Sequence, residues 1–222
     1  MTPFYRFAWF ICRIFLRTVR RMTVMEVVPV PDRGGLIVVA NHTSYWDPVI
    51  LGCALRRQVF FMAKEELFRI PGLGRVIRWL GAFPVRRGAP DRAAYRTALT
   101  LLRQGRAVGI FPEGTRSHTG RLLPPQAGAA VLALRTGVPV VPVYIRGSQG
   151  LIGRVSVRVG RPMLFAGREQ DPDAVGKAIM EAVEILREEG EELTNGGPGS
   201  RQGRFLLRRA AGGGPCPPGR RV

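Results

Sequence analysis

Residues 35–48 read GLIVVANHTSYWDP, and this stretch decides the fold class. Its first six residues form an uninterrupted apolar run, which is typical of a strand buried on both faces of a parallel sheet. Polar residues follow at once, so His42 is predicted to lie in a loop at the edge of that sheet, where functional groups are common. Asp47 and Pro48 then indicate a helix start, with the carboxylate as N-cap and proline in the first turn.

Apolar runs and helical patterns alternate along the rest of the chain, which predicts a single α/β domain with a mixed sheet flanked by helices. The predicted strands are residues 35–40, 59–62, 81–86, 107–111, 138–145 and 155–159, and the predicted helices are residues 90–103, 128–136 and 173–189. Pro139 and Pro142 favour an edge or bulge position for their strand. The alternation of residues 155–159 predicts a partly exposed strand.

Both ends of the chain differ from this central domain. Residues 1–25 predict an amphipathic, membrane-associating helix, because on a helix the apolar residues gather on one face and several arginines lie around the opposite side. That side consists of Phe4, Phe7, Phe10, Ile11, Ile14, Phe15 and Val19. The alternative is a helix packed on its own domain. Residues 191–222, rich in Gly, Pro and Arg, predict a disordered tail, which leaves residues 26–190 as the folded domain.

The first helix is expected neither to span a membrane nor to be a signal peptide. Its longest apolar run, residues 7–12, is far below the roughly 18 to 20 residues that a spanning helix needs. Several arginines interrupt it, and no small-residue cleavage site follows.

The charge of the chain is strongly positive. Its 34 basic residues outnumber 16 acidic ones, which gives a formal charge of +18. Such a protein is expected to seek phosphate groups on nucleic acid, on anionic lipid or on a small substrate. The arginines are scattered and follow no nucleic-acid-binding motif, so no nucleic-acid partner is expected. The three cysteines, Cys12, Cys53 and Cys216, suggest neither a disulfide framework nor a zinc site.

Three loops carry the candidate functional residues. His42 is a candidate general base whose tautomer Asp47 would hold, although Asp47 could equally be a plain N-cap. Gly114 and Arg116, in the loop after the strand that ends at residue 111, suit an anion through close backbone approach and a planar guanidinium. The alternative there is a surface turn closed by a Glu113–Arg116 pair. Arg87 and its arginine neighbour, after the short strand at residues 81–86, form a third basic loop.

Several motifs are missing from the sequence. It contains no G-x-S-x-G elbow, no Walker A sequence, no complete G-x-G-x-x-G and no Cys/His cluster with metal-ligand spacing. A serine hydrolase, a nucleotidyl enzyme and a zinc protein are therefore disfavoured.

Taken in order, these loops resemble four motifs of the glycerolipid acyltransferase family. Residues 41–47, NHTSYWD, match its N-H-x-x-x-x-D motif, and residues 81–87, GAFPVRR, are similar to its second motif. Residues 111–117, FPEGTRS, match the third motif in full, and residues 141–145, VPVYI, are similar to the fourth. One departure is Gln126, which stands where many relatives have a lysine.

The resemblance implies a glycerol-3-phosphate acyltransferase-like fold and transfer of an acyl chain from acyl-CoA or acyl carrier protein to the sn-2 hydroxyl of 1-acyl-glycerol-3-phosphate. Phosphatidic acid would be the product; the alternative acceptors are glycerol-3-phosphate and other lysolipids. His42 would be the base and Asp47 its partner, without a metal or cofactor. The resemblance further implies work at an anionic membrane surface, on the cytoplasmic face of the cell membrane, as a peripheral or monotopic protein. The residues implied to surround the glycerol phosphate are Arg87, Glu113, Gly114, Thr115 and Arg116.

Overall fold

The computed structural model describes the backbone of residues 1–86, 91–165 and 171–195, and the side chains through residue 192. The strands are β1 Thr23–Glu26, β2 Leu36–Ala40, β3 Val59–Lys64, β4 Phe83–Val85, β5 Ala107–Ile110, β6 Val140–Arg146 and β7 Ser156–Val159. The helices are α1 Pro3–Thr18, α2 Asp47–Ala54, α3 Leu73–Trp79, α4 Arg92–Arg103, α5 Gly128–Thr136 and α6 Pro172–Asn195. A 3₁₀ turn, Glu65–Arg69, follows β3.

The chain divides into two compact units. The first, Met1–Leu186, contains the sheet and most of α6. The second, Arg187–Val222, begins with the last turns of α6, where Arg187 pairs with Glu191 at 2.8 Å. Most of the predicted tail, from residue 196 onward, lies outside the described residues.

The strands form one sheet in the order β1-β7-β6-β2-β5-β3-β4. All neighbouring strands are parallel except β6 and β7. Alternate residues of the central strand β2 enter opposite cores: Leu36 and Val38 face the layer of α1 and α2, whereas Ile37 and Val39 face α4, α5 and α6. The expected α/β fold with a mixed sheet between helices is confirmed, and the carboxyl ends of β2, β5 and β6 share one edge.

Of the two alternatives for Pro142, an edge or a bulge, the edge is wrong, because β6 lies inside the sheet between β2 and β7. The Pro142 carbonyl accepts a hydrogen bond from the N–H of Gly160 at 2.9 Å. The nitrogen and carbonyl of one strand residue point to the same side, so the missing N–H of Pro142 faces this neighbour. Strand β7 ends at Val159, just before the point where a donor from Pro142 would be needed.

The prediction that residues 155–159 are partly exposed is also wrong. Three of the four residues of β7 are buried, because β1 pairs with this strand in parallel on its outer side. β1 has only four residues, Thr23–Glu26, which are mostly exposed. A segment of four residues is too short to show a strand pattern, so β1 was not predicted and β7 was taken for the edge strand.

Helix α1 uses two different faces. One side packs on α2 and the sheet through Tyr5, Trp9, Cys12 and Leu16. The other side exposes most of the apolar residues named from the sequence, with Phe7 66% and Phe10 57% exposed. The two alternatives for this helix are therefore compatible, because it packs on its domain with one face and leaves a second apolar face uncovered. Among the described helices, none is long and apolar enough to cross a membrane.

Cys12 and Cys53 are distant in sequence but lie in the same apolar cluster, where α1 packs against α2. Both thiols are free. The nearby Cys53 thiol lowers the pKa of Cys12 below its ordinary value, while burial acts in the opposite direction. The spacing of the cysteines along the sequence does not predict this contact.

Candidate active site

Two of the candidate loops meet at the carboxyl edge of the sheet. The loop of residues 41–46 leaves β2 and the loop of residues 111–117 leaves β5, and these strands are parallel neighbours. The N–H of His42 donates to Glu113 Oε1 at 2.8 Å, and the N–H of Ser117 donates to the His42 carbonyl at 2.8 Å. The topology thus brings together residues that are 71 positions apart in the sequence.

His42 and Asp47 form a buried pair, with 2.8 Å between His42 Nδ1 and Asp47 Oδ2. The side chain of His42 is 8% exposed and that of Asp47 is fully buried. Because a carboxylate only accepts hydrogen bonds, the neutral imidazole carries its proton on Nδ1. Nε2 is then the basic ring nitrogen that a substrate hydroxyl can approach.

Asp47 does not act as an N-cap. Helix α2 begins at Asp47 itself, and its N-terminus has no side-chain cap. Oδ2 instead accepts the backbone N–H groups of Thr43 at 2.6 Å and Ser44 at 2.7 Å, upstream of the helix. Three donors therefore converge on one carboxylate oxygen, which fixes the loop around His42 as well as the ring itself.

Asn41 holds the other end of the same loop. Its side-chain oxygen accepts the N–H of Ile145 at 2.7 Å, and its Nδ2 donates to the Ile145 carbonyl at 2.9 Å. The buried amide thereby pairs with β6 as a further strand residue would, just beyond the end of β2. Sequence analysis assigned no role to Asn41, although its place between the strand and His42 was visible.

Glu113 is a link between loops and not the partner of Arg116. It is buried, and its second oxygen accepts the N–H of Leu123 at 3.1 Å. The alternative of a Glu113–Arg116 surface pair is wrong, because Arg116 contacts Tyr45 instead. Desolvation raises the pKa of Glu113 above its ordinary value, against the opposing effect of the two backbone N–H groups.

Comparison with known proteins agrees with this arrangement. The sequence matches the family described as acyltransferase over residues 21–146, which contain both loops. The chain belongs to the acyltransferase family. It is 30% identical to the 1-acyl-sn-glycerol-3-phosphate acyltransferase of Bacillus subtilis, across 86% of this chain and 97% of that protein. The Streptococcus pneumoniae protein of the same name is 32% identical, across 72% of this chain and 63% of its own.

A solved structure of the family has the same fold. The crystal structure of the 1-acyl-sn-glycerophosphate acyltransferase PlsC from Thermotoga maritima superposes with a TM-score of 0.64 at 30% identity. The match covers 82% of this chain and 79% of that chain. The family resemblance of the four motifs is therefore confirmed.

In this acyltransferase, Arg116 lies beside the His42 loop. Its guanidinium stacks on Tyr45, with Cζ 3.6 Å from the ring centroid, and Nη2 donates to the Tyr45 hydroxyl at 2.9 Å. Tyr45 is 74% exposed, so the pair stands at the surface beside the His42 loop. The remaining guanidinium N–H groups have no described protein partner and are suited to a phosphate.

The turn that carries Arg116 depends on Gly114. Its φ is +68°, and a Cβ there would overlap the side chain of Gln126. Gln126 therefore packs against the turn of the third motif, in the position where the resemblance led us to expect a lysine. Thr115 is exposed at the tip of the turn. Arg87, the remaining predicted phosphate ligand, lies outside the described residues.

Most backbone N–H groups of the His42 loop already have acceptors. Those of His42, Thr43 and Ser44 bind the two carboxylates, and that of Trp46 donates to Ser44 Oγ at 3.2 Å. These four donors are therefore not available to an oxyanion. Their role is to hold the loop in place around the imidazole.

Proposed function

We propose that this acyltransferase transfers a fatty acyl chain from a thioester to the sn-2 hydroxyl of 1-acyl-glycerol-3-phosphate, and so makes phosphatidic acid. The observation that carries the chemistry is the buried pair of His42 and Asp47 at 2.8 Å. The names of the relatives at about 30% identity support the acceptor.

In the proposed mechanism His42 is the catalytic general base. A free hydroxyl is a weak nucleophile, so Nε2 takes its proton as the oxygen attacks the thioester carbonyl carbon. The tetrahedral intermediate collapses by breaking the C–S bond, and the imidazolium returns the proton to the leaving thiolate. Asp47 keeps the ring in the productive tautomer and stabilises the imidazolium. A positioned base of this kind contributes about 10² to 10⁴ in rate.

The acceptor phosphate is proposed to bind on the Arg116 side of the base. Arg116 supplies positive charge and planar N–H donors, and Tyr45 holds its guanidinium in place. Gly114 allows the phosphate close to the backbone, and Thr115 offers an exposed hydroxyl. Arg87 follows from the family resemblance alone. Glu113 contributes through the backbone of His42, because both of its oxygens already have donors.

The protein is proposed to work at an anionic membrane surface, where its acceptor and product reside. The exposed apolar face of α1 continues onto α3, since Phe4 and Trp79 meet edge to face with ring centroids 5.1 Å apart. We call this surface the outer face; it consists of Phe4, Phe7, Phe10, Ile11, Ile14, Val76 and Trp79. Arg6, Arg17, Arg75 and Arg78 are exposed on the same two helices. Their positive charge suits anionic lipid. The charge of +18 would attract acyl-CoA or acyl carrier protein, both of which are acidic.

The test is acyl transfer by purified protein in mixed micelles. Oleoyl-CoA or palmitoyl-CoA, and acyl carrier protein donors, are offered with 1-acyl-glycerol-3-phosphate or with glycerol-3-phosphate. We expect phosphatidic acid from the lysolipid, a fall of at least about 10² in kcat for His42→Ala and Asp47→Asn, and full activity for His118→Ala. His118 is the other histidine and is exposed, so it is the matched control.

Each result distinguishes the alternatives. If glycerol-3-phosphate is acylated and the lysolipid is not, glycerol-3-phosphate is the acceptor and the proposed mechanism is unchanged. Full activity of His42→Ala would overturn the role of the base. A wild-type protein inactive with every donor and acceptor would overturn the proposed function.

A further inference from the structure

Arg20 is a fully buried arginine that follows Val19, the C-cap of α1. Its guanidinium donates to four backbone carbonyls of one loop: Gly147 at 2.6 Å, Gly150 at 2.9 Å, and Gln149 and Gly153 at 3.4 Å. No carboxylate among the described residues pairs with it. A buried charge without an ion-pair partner is costly unless hydrogen bonds compensate it, so Arg20 depends on these four carbonyls and they are held in place by it.

The loop that Arg20 binds, residues 147–153, has little apolar contact of its own. Its tip, Leu151 and Ile152, is exposed, and Ile152 is 82% exposed. Positive φ angles at Gly147, Gly150 and Gly153 turn its carbonyls inward. Arg20 therefore supplies the central interaction that an apolar core would supply elsewhere.

This loop contacts the active site through Ser148. The loop follows β6, whose carboxyl end adjoins that of β2. Ser148 is 1% exposed, and its hydroxyl lies 3.0 Å from that of Thr43. Thr43 in turn donates its N–H to Asp47 Oδ2 at 2.6 Å. Hydrogen bonds joined by short covalent segments thus connect Arg20, through the loop and Thr43, to the carboxylate that binds His42.

We propose that Arg20 is a positioning residue for acyl transfer, which holds residues 147–153 so that Ser148 fixes Thr43 beside the His42–Asp47 pair. The proposal deepens the acyl-transfer function above and rests on it. Arg20 touches no substrate and acts through the loop. Because the groups it positions perform the proton transfer, its loss lowers kcat more than it raises KM.

The main experiment compares Arg20→Met with Arg21→Met, a neighbouring arginine that is exposed. Arg20→Met is expected to lower kcat by at least about tenfold, since small displacements of reacting groups cost one to two orders of magnitude. KM for both substrates should change less than about threefold, the signature of a lost transition-state interaction. Arg21→Met should retain wild-type kcat. Arg20→Gly should regain activity with added methylguanidinium, which a general loss of fold would not allow.

Hydrogen–deuterium exchange tests the same link without using activity. Arg20→Met is expected to raise amide exchange both in residues 147–153 and at residues 43 and 44, whose N–H groups bind Asp47. Faster exchange in the loop alone, with residues 43 and 44 unchanged, would overturn the proposal even if the wild-type protein proved inactive. An inactive wild type with the expected exchange would contradict the acyl-transfer function and not the positioning link.

Ser148→Ala keeps the proposal testable if Arg20→Met does not fold. This variant leaves Arg20 and its four carbonyls in place and removes only the hydroxyl that reaches Thr43. We expect a small loss of thermal stability, as for one lost hydrogen bond, with kcat about three- to tenfold lower. A kcat within twofold of wild type in both folded variants would overturn the proposal.

Discussion

The imidazole of His42 lies against the ring of Phe111, with the ring centroids 4.2 Å apart and the planes inclined by 20°. Phe111 stacks in turn on Phe61, whose centroid is 6.0 Å away. In the sheet, Phe61 pairs with Gly109, and a Cβ at Gly109 would overlap the Phe61 ring. The base therefore rests on an aromatic stack that requires a glycine within β5.

Gly109→Ala is expected to displace Phe61 and, through Phe111, the ring of His42. We expect kcat to fall about tenfold, since the base loses its orientation, and the free energy of unfolding to fall by about 1 to 3 kcal/mol from overpacking. Steady-state kinetics and urea unfolding measure the two effects. Gly176→Ala is the control, because a Cβ there makes an ordinary 3.6 Å contact. Unchanged kcat in Gly109→Ala would show that the stack does not orient the base.

Glu113 predicts a pH-dependent contribution to stability. Desolvation raises its pKa above the ordinary value of 4.5, so the folded protein holds this proton more tightly than the unfolded chain. The stabilising contribution is then complete below pH 4.5 and is lost as the pH rises through the raised pKa. Each unit of the shift corresponds to about 1.4 kcal/mol.

The measurement is urea unfolding of wild type and Glu113→Gln across this pH range. The free energy of unfolding of wild type minus that of the variant should decrease with rising pH and then become constant, since glutamine does not titrate. A difference that grows with pH would contradict the desolvation of Glu113.

Arg116→Ala is expected to raise the KM for the phosphorylated acceptor by about 10- to 100-fold, the range for a lost hydrogen bond to a charged group. Arg116→Lys keeps the charge but not the planar donors, so its KM should lie between those of wild type and Arg116→Ala. Kinetics with varied acceptor at saturating acyl-CoA measure this. Arg103→Ala, an exposed arginine at the end of α4, should leave the KM unchanged. An equal KM for wild type and Arg116→Ala would place the phosphate elsewhere.

The outer face predicts binding to lipid. Replacing both Phe7 and Phe10 by serine should reduce binding to vesicles of phosphatidylglycerol and phosphatidylcholine at least tenfold, because burying one such side chain contributes about 1.5 to 3 kcal/mol. Sedimentation with vesicles measures the bound fraction. Ile185→Ser is the matched control, as Ile185 is 49% exposed on α6. If the Phe7/Phe10 double variant binds vesicles as well as Ile185→Ser does, the outer face is not the membrane contact.

The fold was predictable wherever one segment carried a complete pattern. The apolar run before Asn41 and the helix that ends at Gly137, whose φ is +64°, are local signals and were predicted within a residue or two. Positions that depend on neighbours were not predictable. Pro142 lies inside the sheet at the point where the regular pairing of β6 with β7 stops, and no feature of residues 138–145 contains that information.

In the candidate site, too, local features were predictable from the sequence and features that depend on distant segments were not. The spacing of His42 and Asp47 predicted their contact, because five residues across a turn suffice to join them. The role of Glu113 could not be read in this way, since its partners are the backbone N–H of His42, in another loop, and that of Leu123, further along its own loop. Gly109 did offer a signal, because a glycine inside a buried strand often marks a close approach by a neighbouring group.

The contacts that shape the His42 loop have a consequence for the folding of the chain. Glu113, Ile145 and Ser148 reach this loop from 71, 104 and 105 residues away. Contacts between such distant segments close large loops and form late, after local helices and turns. A growing chain therefore cannot complete the contacts of the His42 loop until Ser148 has left the ribosome, and the geometry of the candidate site arises late in folding.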